Sequence, residues 1–100
     1  MYQCTTPTHT FVLPISTEEI ALVRLTYKQD KTIILQKSKE DCTLKENKLS
    51  CTLTQAETLL FNHQKKVKIQ LQITTTEGTG LITPVYYKNV GECLAAETLV

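Results

Sequence analysis

The strongest pattern in the chain is a run of alternating polar and apolar residues, KVKIQLQITT, at positions 66–75. Alternation with a period of two, rich in β-branched residues, predicts a strand with one buried and one solvated face. At about 3.3 Å per residue the strand would be roughly 30 Å long, enough to cross a small domain. We expect its apolar row to nucleate a β-sandwich. That row is Val67, Ile69, Leu71 and Ile73.

Shorter alternating runs predict further strands on both sides of this segment. They lie at residues 9–13, 21–29 and 32–37, in a hairpin at 42–53, and in a last long strand at 81–90. Pro84 cannot donate a ladder hydrogen bond, so the last strand is expected to be an edge strand or to contain a bulge. The two glycines at residues 77–80 indicate a tight turn between the two long strands.

Two capping-box spacings predict short helical turns between the strands. Ser16 with Glu19, and Thr54 with Glu57, have the S/T-x-x-E spacing of a helix start. The first predicts one turn at residues 17–20, with a helix over residues 18–27 as the main rival to a strand there. The second predicts a single turn at residues 55–61, placed as a corner between the two sheets.

The cysteines are Cys4, Cys42, Cys51 and Cys93, and no two have the C-x-x-C spacing of zinc ribbons or thioredoxin-type motifs. A two-residue turn at positions 46–47 would set Cys42 opposite Cys51. Opposed Cβ atoms are about 4.5–5.5 Å apart, so a cross-strand disulfide could form with some strain. A reducing cytosol favours two free thiols instead. A metal site built from cysteines and histidines is a third, weaker alternative.

Length and composition bound the classes of function. One hundred residues predict a single domain at 1–100, with a lead-in arm at 1–8 and a C-terminal tail at 93–100. The net charge is +1 with acidic and basic residues interspersed, which argues against a nucleic-acid partner. We also expect no signal peptide and no membrane partner, because no apolar stretch approaches the ~20 residues that span a bilayer.

Motifs for catalysis are absent from the sequence. It has no G-x-S-x-G elbow, glycine-rich phosphate loop, H-E-x-x-H or calcium loop. The adjacent acids at 18–19 and 40–41 would point apart, as in solvated turns. We therefore predict no catalytic residues, no cofactor, no metal and no small-molecule substrate. A nucleophilic cysteine beside His9 or His63 is the enzyme alternative that the composition leaves open.

The predicted functional surface is one for protein–protein contacts. Tyr86 and Tyr87 lie on the last strand, where alternation predicts one buried ring and one exposed ring suited to an interface. Leu99 and Val100 end the chain with apolar side chains that either pack back on the domain or meet a partner.

Three stretches together resemble a known group of proteins. They are VRLTYKQ at 23–29, TLTQAETLLF at 52–61, and VKIQLQI at 67–73 leading to Gly78. They are similar to small immunoglobulin-like proteins of phage and prophage structural gene clusters in low-GC Gram-positive bacteria, and to the N-terminal module of siphophage baseplate (receptor-binding-complex) proteins. The resemblance runs from about residue 8 to residue 99, with Ala56 where the family often has Glu. The matched positions are core and corner residues, so it implies a fold and a setting.

These observations predict an all-β, antiparallel, immunoglobulin-like β-sandwich of about seven strands with one short helical turn. The resemblance implies a non-enzymatic structural module of a phage or prophage virion, in the baseplate or tail. Its partners would be other virion structural proteins, in an oligomeric assembly, in the bacterial host cytoplasm and then in the virion. The alternative is a free-standing bacterial accessory or surface-displayed binding module, which predicts a removed leader and an oxidised Cys42–Cys51 pair.

Overall fold

The computed structural model describes residues 1–99, in which the long alternating segment is the central strand of the larger of two antiparallel sheets. Eight strands, one α-helical turn and two 3-10 turns are present in this range. The strands are β1 (Thr8–Val12), β2 (Ile20–Gln29), β3 (Thr32–Ser38), β4 (Thr43–Lys45), β5 (Lys48–Thr52), β6 (Val67–Thr75), β7 (Gly80–Ile82) and β8 (Tyr86–Lys88). The helical turns are α1 (Gln55–Thr58) and the 3-10 turns Thr17–Glu19 and Lys39–Asp41.

Each of the two sheets takes its strands from separate parts of the chain. The smaller sheet has the strand order β1-β5-β4, and the larger has β3-β2-β6 with β7 and β8 both paired to the far side of β6. The helical turn α1 follows β5 and precedes β6, so it carries the chain from one sheet to the other, as predicted. The all-β antiparallel sandwich is confirmed, with eight strands where about seven were expected.

The core forms where the apolar faces of the two sheets meet. The predicted row on β6 is buried along its whole length, with exposures of 0–4%. Alternation puts every second residue of a strand on the same face, so this row and the inner row of β2 form one continuous apolar surface. Residues with at most 2% exposure are Ile20, Leu25, Tyr27, Leu49, Cys51, Leu53, Thr58, Phe61, Val67, Ile69 and Leu71.

Residues 20–29 form a ten-residue strand, so the rival helix over 18–27 is wrong. Both predicted capping boxes are present. The Thr54 hydroxyl accepts a hydrogen bond from the Glu57 amide at 3.1 Å, and the Glu57 carboxylate accepts one from the Thr54 amide at 2.9 Å. Both helical turns are short. The first is followed by the alternating residues of β2, where burial of an apolar row outweighs local helix preference. The second, α1, leads into the polar loop before β6.

The hairpin of β4 and β5 has the predicted turn and register. Lys45 pairs with Lys48, Leu44 with Leu49, and the turn residue Glu46 has a positive φ of 57°. The turn at 77–80 is also confirmed, with Gly78 at a φ of 88°, a value that favours glycine.

The last long strand is interrupted where its proline lies. In place of one strand at 81–90 the structure has β7 and β8, with Pro84 between them. Both pair antiparallel with β6, so the segment is an edge, as Pro84 predicts. The Thr83 hydroxyl accepts a hydrogen bond from the Leu71 amide at 3.0 Å and takes the place of a ladder contact next to the break.

Candidate interaction surface

A cleft of about 530 Å³ opens between β1 and β8, at the side where the two sheets end. All five residues of β1 line it. Because β1 pairs with β5 on one side only, its other side is the free edge of the smaller sheet. A free strand edge presents backbone N–H and C=O groups that can pair with another chain.

Aromatic side chains line this cleft on both walls. The rings of Phe11 on β1 and Tyr86 on β8 are tilted against each other with centroids 5.9 Å apart. Tyr86 is 44% exposed and Tyr87 60% exposed. The expectation that one ring is buried is therefore wrong. Tyr86 pairs with the buried Ile69, but its ring faces the open cleft beside the edge strand β1, where it stays partly exposed.

His9 connects the cleft to the core. Its Nδ1 lies 2.7 Å from the Tyr27 hydroxyl, and their ring centroids are 5.5 Å apart. Burial lowers the pKa of His9, and the positive charges of Lys88 and the N-terminal ammonium lower it further. Burial raises the pKa of Tyr27. Both side chains are therefore neutral near pH 7, and their hydrogen bond ties β1 to the larger sheet.

The enzyme alternative required a histidine beside a thiol, and the sheet register brings one pair close. His9 is the cross-strand partner of Cys51. The His9 ring binds Tyr27, whereas the Cys51 sulfur lies 3.8 Å from the Asp41 carbonyl oxygen, to which it can donate a weak hydrogen bond. His63 binds a different group, the Glu92 carboxylate, at 3.2 Å. Within residues 1–99 no group of three or more His, Cys, Asp or Glu side chains is arranged to hold a metal ion.

Cys42 and Cys51 occupy the opposed positions that the hairpin register sets, and both are free thiols. Cys51 is buried and Cys42 is half-buried. The pKa of Cys51 is lowered because its thiolate would accept a hydrogen bond from the Cys42 thiol, with Lys37 contributing a favourable charge. The pKa of Cys42 is correspondingly raised, by that hydrogen bond first and by burial second.

The other two cysteines form a disulfide that the sequence spacing did not indicate. Cys4 and Cys93 are bonded across 89 residues, with their Cα atoms 6.1 Å apart. The lead-in arm is further held by a parallel bridge between Tyr2 and Gly91. A Cβ at position 91 would collide with the Tyr2 ring, so a larger residue there would displace the Tyr2 side chain. Residues 1–4 and 91–93 therefore form one strap at an end of the sandwich.

Of the two C-terminal candidate residues, Leu99 lies in the part of the chain that the structure describes. The backbone of Leu99 is held by the Gln55 side chain, which accepts from its amide at 2.8 Å and donates to its carbonyl at 3.2 Å. Its side chain is 91% exposed, so it does not pack back on the domain. Val100 lies outside the described residues.

In the range 1–99 no helix is long and apolar enough to cross a membrane. The chain matches no protein-family model, no curated protein and no solved structure.

Proposed function

We propose that this chain is a non-enzymatic structural module of a phage or prophage virion that assembles with other structural proteins through protein–protein contacts. The observation that carries the proposal is the open edge between β1 and β8. It combines a free strand edge with exposed aromatic and apolar side chains. Val12, Tyr86 and Tyr87 all line it, with exposures of 69%, 44% and 60%.

Edge strands of monomeric proteins are usually protected by charged residues or proline within the strand. β1 contains neither, since its sequence is THTFV and the flanking prolines lie at positions 7 and 14. A partner strand could therefore pair with its backbone over the full length of five residues. Tyrosines next to such an edge supply the contact area typical of protein interfaces.

The virion setting rests on the resemblance to phage and prophage structural proteins. The corner stretch that carries the resemblance supplies two core residues, Leu53 and Phe61, at 0% and 1% exposure. A corner built in this way suits a small module that presents its edges and end loops to neighbours.

The first test is mass spectrometry of purified phage particles induced from the source bacterium. We expect peptides of this chain in intact particles at a copy number that matches a symmetric component. Absence from particles, with the chain present in the lysate, would contradict the virion proposal.

A second test examines the surface. Tyr87→Glu places a charge in the cleft, and Leu22→Glu, at a residue 66% exposed and away from the cleft, is the matched control. In a prophage strain carrying each variant, we expect Tyr87→Glu to lower incorporation into particles at least about tenfold, since 1.4 kcal/mol of lost contact energy corresponds to that factor. Equal incorporation of both variants, with native circular dichroism spectra, would rule out this edge as the assembly surface.

The Cys4–Cys93 disulfide favours a second candidate, a free-standing accessory or surface-displayed binding module. Stable disulfides are typical of proteins that work outside the reducing cytosol. The pair predicted to be oxidised in that case was Cys42–Cys51, and the bonded pair is a different one. Alkylation of intact cells before lysis distinguishes the two candidates. In a surface protein Cys4 and Cys93 are joined in the disulfide and are not alkylated, whereas in a cytoplasmic assembly precursor they are free thiols and are alkylated.

A further inference from the structure

The chain contains two cysteine pairs in unlike surroundings. Cys4 and Cys93 are bonded at the strap, whereas Cys42 and Cys51 are free, with Cys42 directly before β4 and Cys51 on β5. The last pair in the register of this hairpin is Thr43 with Ser50, and continuing the register by one step sets Cys42 opposite Cys51.

The opposed positions are within reach of a covalent bond. Antiparallel partners have Cα atoms about 4.5–5.5 Å apart, inside the 4.4–6.8 Å range of disulfides. Their Cβ atoms, at about 4.5–5.5 Å, must approach by roughly 1 Å to reach the 3.8 Å mean of bonded pairs. Movement of β4 can supply this approach, because β4 has three residues and pairs only with β5.

The two thiols differ in access. Cys42 is half-buried and lies next to the exposed Asp41, so a small reagent can reach it. Cys51 is 1% exposed. The positive charge of Lys37, whose ammonium also pairs with the Glu57 carboxylate, favours the Cys51 thiolate. An accessible thiol opposite a buried second thiol, with a cation nearby, is the arrangement of a dithiol that reacts in two steps.

We propose that Cys42 and Cys51 form a thiol-oxidation site that closes reversibly to a cross-strand disulfide, with low-molecular-weight disulfides such as oxidised glutathione as the oxidant. The Cys42 thiol passes its proton to the Cys51 thiolate as its sulfur attacks one sulfur of the oxidant, whose S–S bond breaks and releases one thiolate. Cys51 loses that proton to solvent. The Cys51 thiolate then attacks the Cys42 sulfur of the mixed disulfide and releases the second. The cysteines lose two protons and two electrons, and the oxidant becomes two thiols.

Closure links the residue before the three-residue edge strand β4 to its neighbour β5, and reduction releases it. The bond would be more easily reduced than Cys4–Cys93, because strained or exposed disulfides have more oxidising potentials. The proposal concerns the hairpin alone, so it does not depend on which partner the chain binds.

The test is redox titration of the full chain with its Cys4–Cys93 bond as the internal reference. The protein is equilibrated in glutathione buffers of stepped composition, quenched with acid, alkylated and mapped by mass spectrometry. We expect a Cys42–Cys51 linked peptide that disappears at a [GSH]²/[GSSG] value at least about tenfold lower than the value that opens Cys4–Cys93. Cys42 and Cys51 that stay alkylated as separate thiols at every ratio, or end as glutathione adducts, would overturn the proposal.

A second measurement tests the spacing without oxidation. Phenylarsine oxide bridges two neighbouring thiols, and we expect the native chain to bind one equivalent. Cys42→Ser should abolish this binding while leaving the Cys4–Cys93 bond and the circular dichroism spectrum unchanged. No binding by the native chain would show that the thiols are too far apart and would overturn the proposal independently of any variant.

Discussion

Removal of the Cys4–Cys93 disulfide should be the most damaging change that leaves the folded contacts intact. The strap retains other ties after the bond is lost. The Gln3 amide donates to the Gly91 carbonyl at 3.0 Å, and the Gly91 amide donates to the Met1 carbonyl at 2.8 Å. The double substitution of Cys4 and Cys93 to serine therefore acts mainly on the unfolded chain, which regains the freedom that the cross-link had removed.

The magnitude follows from the size of the closed loop. For a sequence separation of 89, the chain-entropy relation gives a loss of about 4.6 kcal/mol at 25 °C. With an unfolding entropy of about 0.21 kcal/mol/K for 100 residues, the midpoint of thermal unfolding should fall by roughly 20 °C. The urea m-value should rise, because an unfolded chain without the cross-link exposes more surface.

The assay is urea and thermal unfolding, followed by far-UV circular dichroism without reductant. Cys42→Ser is the matched control, since it removes a thiol from a half-buried position without opening a loop, and it should cost less than about 1 kcal/mol. A double variant that keeps the native spectrum and loses less than about 1 kcal/mol would refute the loop-entropy argument. It would show that the ends are held together in the unfolded chain or that the bond does not form.

Three further predictions concern buried polar groups, a cap and a histidine. Gln29→Leu removes the side chain that donates to the Asn62 carbonyl at 2.8 Å and accepts from the Asn62 amide at 2.8 Å. We expect the free energy of unfolding in urea to fall by about 3 kcal/mol, because the Asn62 backbone groups lose their partner. The control Gln36→Leu, at an exposed residue, should change it by less than about 0.5 kcal/mol. Equal effects of the two substitutions would contradict this reasoning. Thr54→Ala removes the α1 cap and should cost about 1 kcal/mol, with Thr54→Ser restoring most of it; no loss would mean that the cap is not stabilising. The lowered pKa of His9 means that the unfolded chain binds a proton more readily than the folded chain. The free energy of unfolding should therefore fall as the pH drops below about 6.5, and His9→Gln should remove this part of its pH dependence. An unchanged pH dependence in His9→Gln would show that another group titrates.

Local signals in the sequence predicted most of the fold. Alternation identified β6 because one face of that strand is buried along its whole length, with Val67 at 0% and Ile73 at 4% exposure. The two-residue turn at 46–47 predicted the register of β4 and β5 because hairpin pairing follows directly from turn length. The capping boxes marked both helical turns because their partners lie three residues apart.

The features that were missed depend on contacts between distant parts of the chain. The Cys4–Cys93 bond joins segments 89 residues apart, and no spacing rule encodes such a pairing. Tyr86 pairs with the buried Ile69, yet it is 44% exposed because it lies at the open edge beside β1, which alternation cannot indicate. Gln29 ends the predicted strand at 21–29 next to a polar turn, yet it is 4% exposed, with its side chain donating to the carbonyls of Asn62 and Lys65.

The disulfide strap has a consequence for how this module could be recombined with other proteins. Because the Met1 ammonium donates to the Asn89 carbonyl at 2.9 Å, the start of the chain lies beside its last core segment. A host loop could accept residues 1–93 as an insertion with little separation between the two junctions, a property that favours domain insertion and circular permutation. A permutant of residues 1–93 opened at Gly78, with residues 1 and 93 linked, would keep every strand intact and replace the cysteine bond with a peptide link.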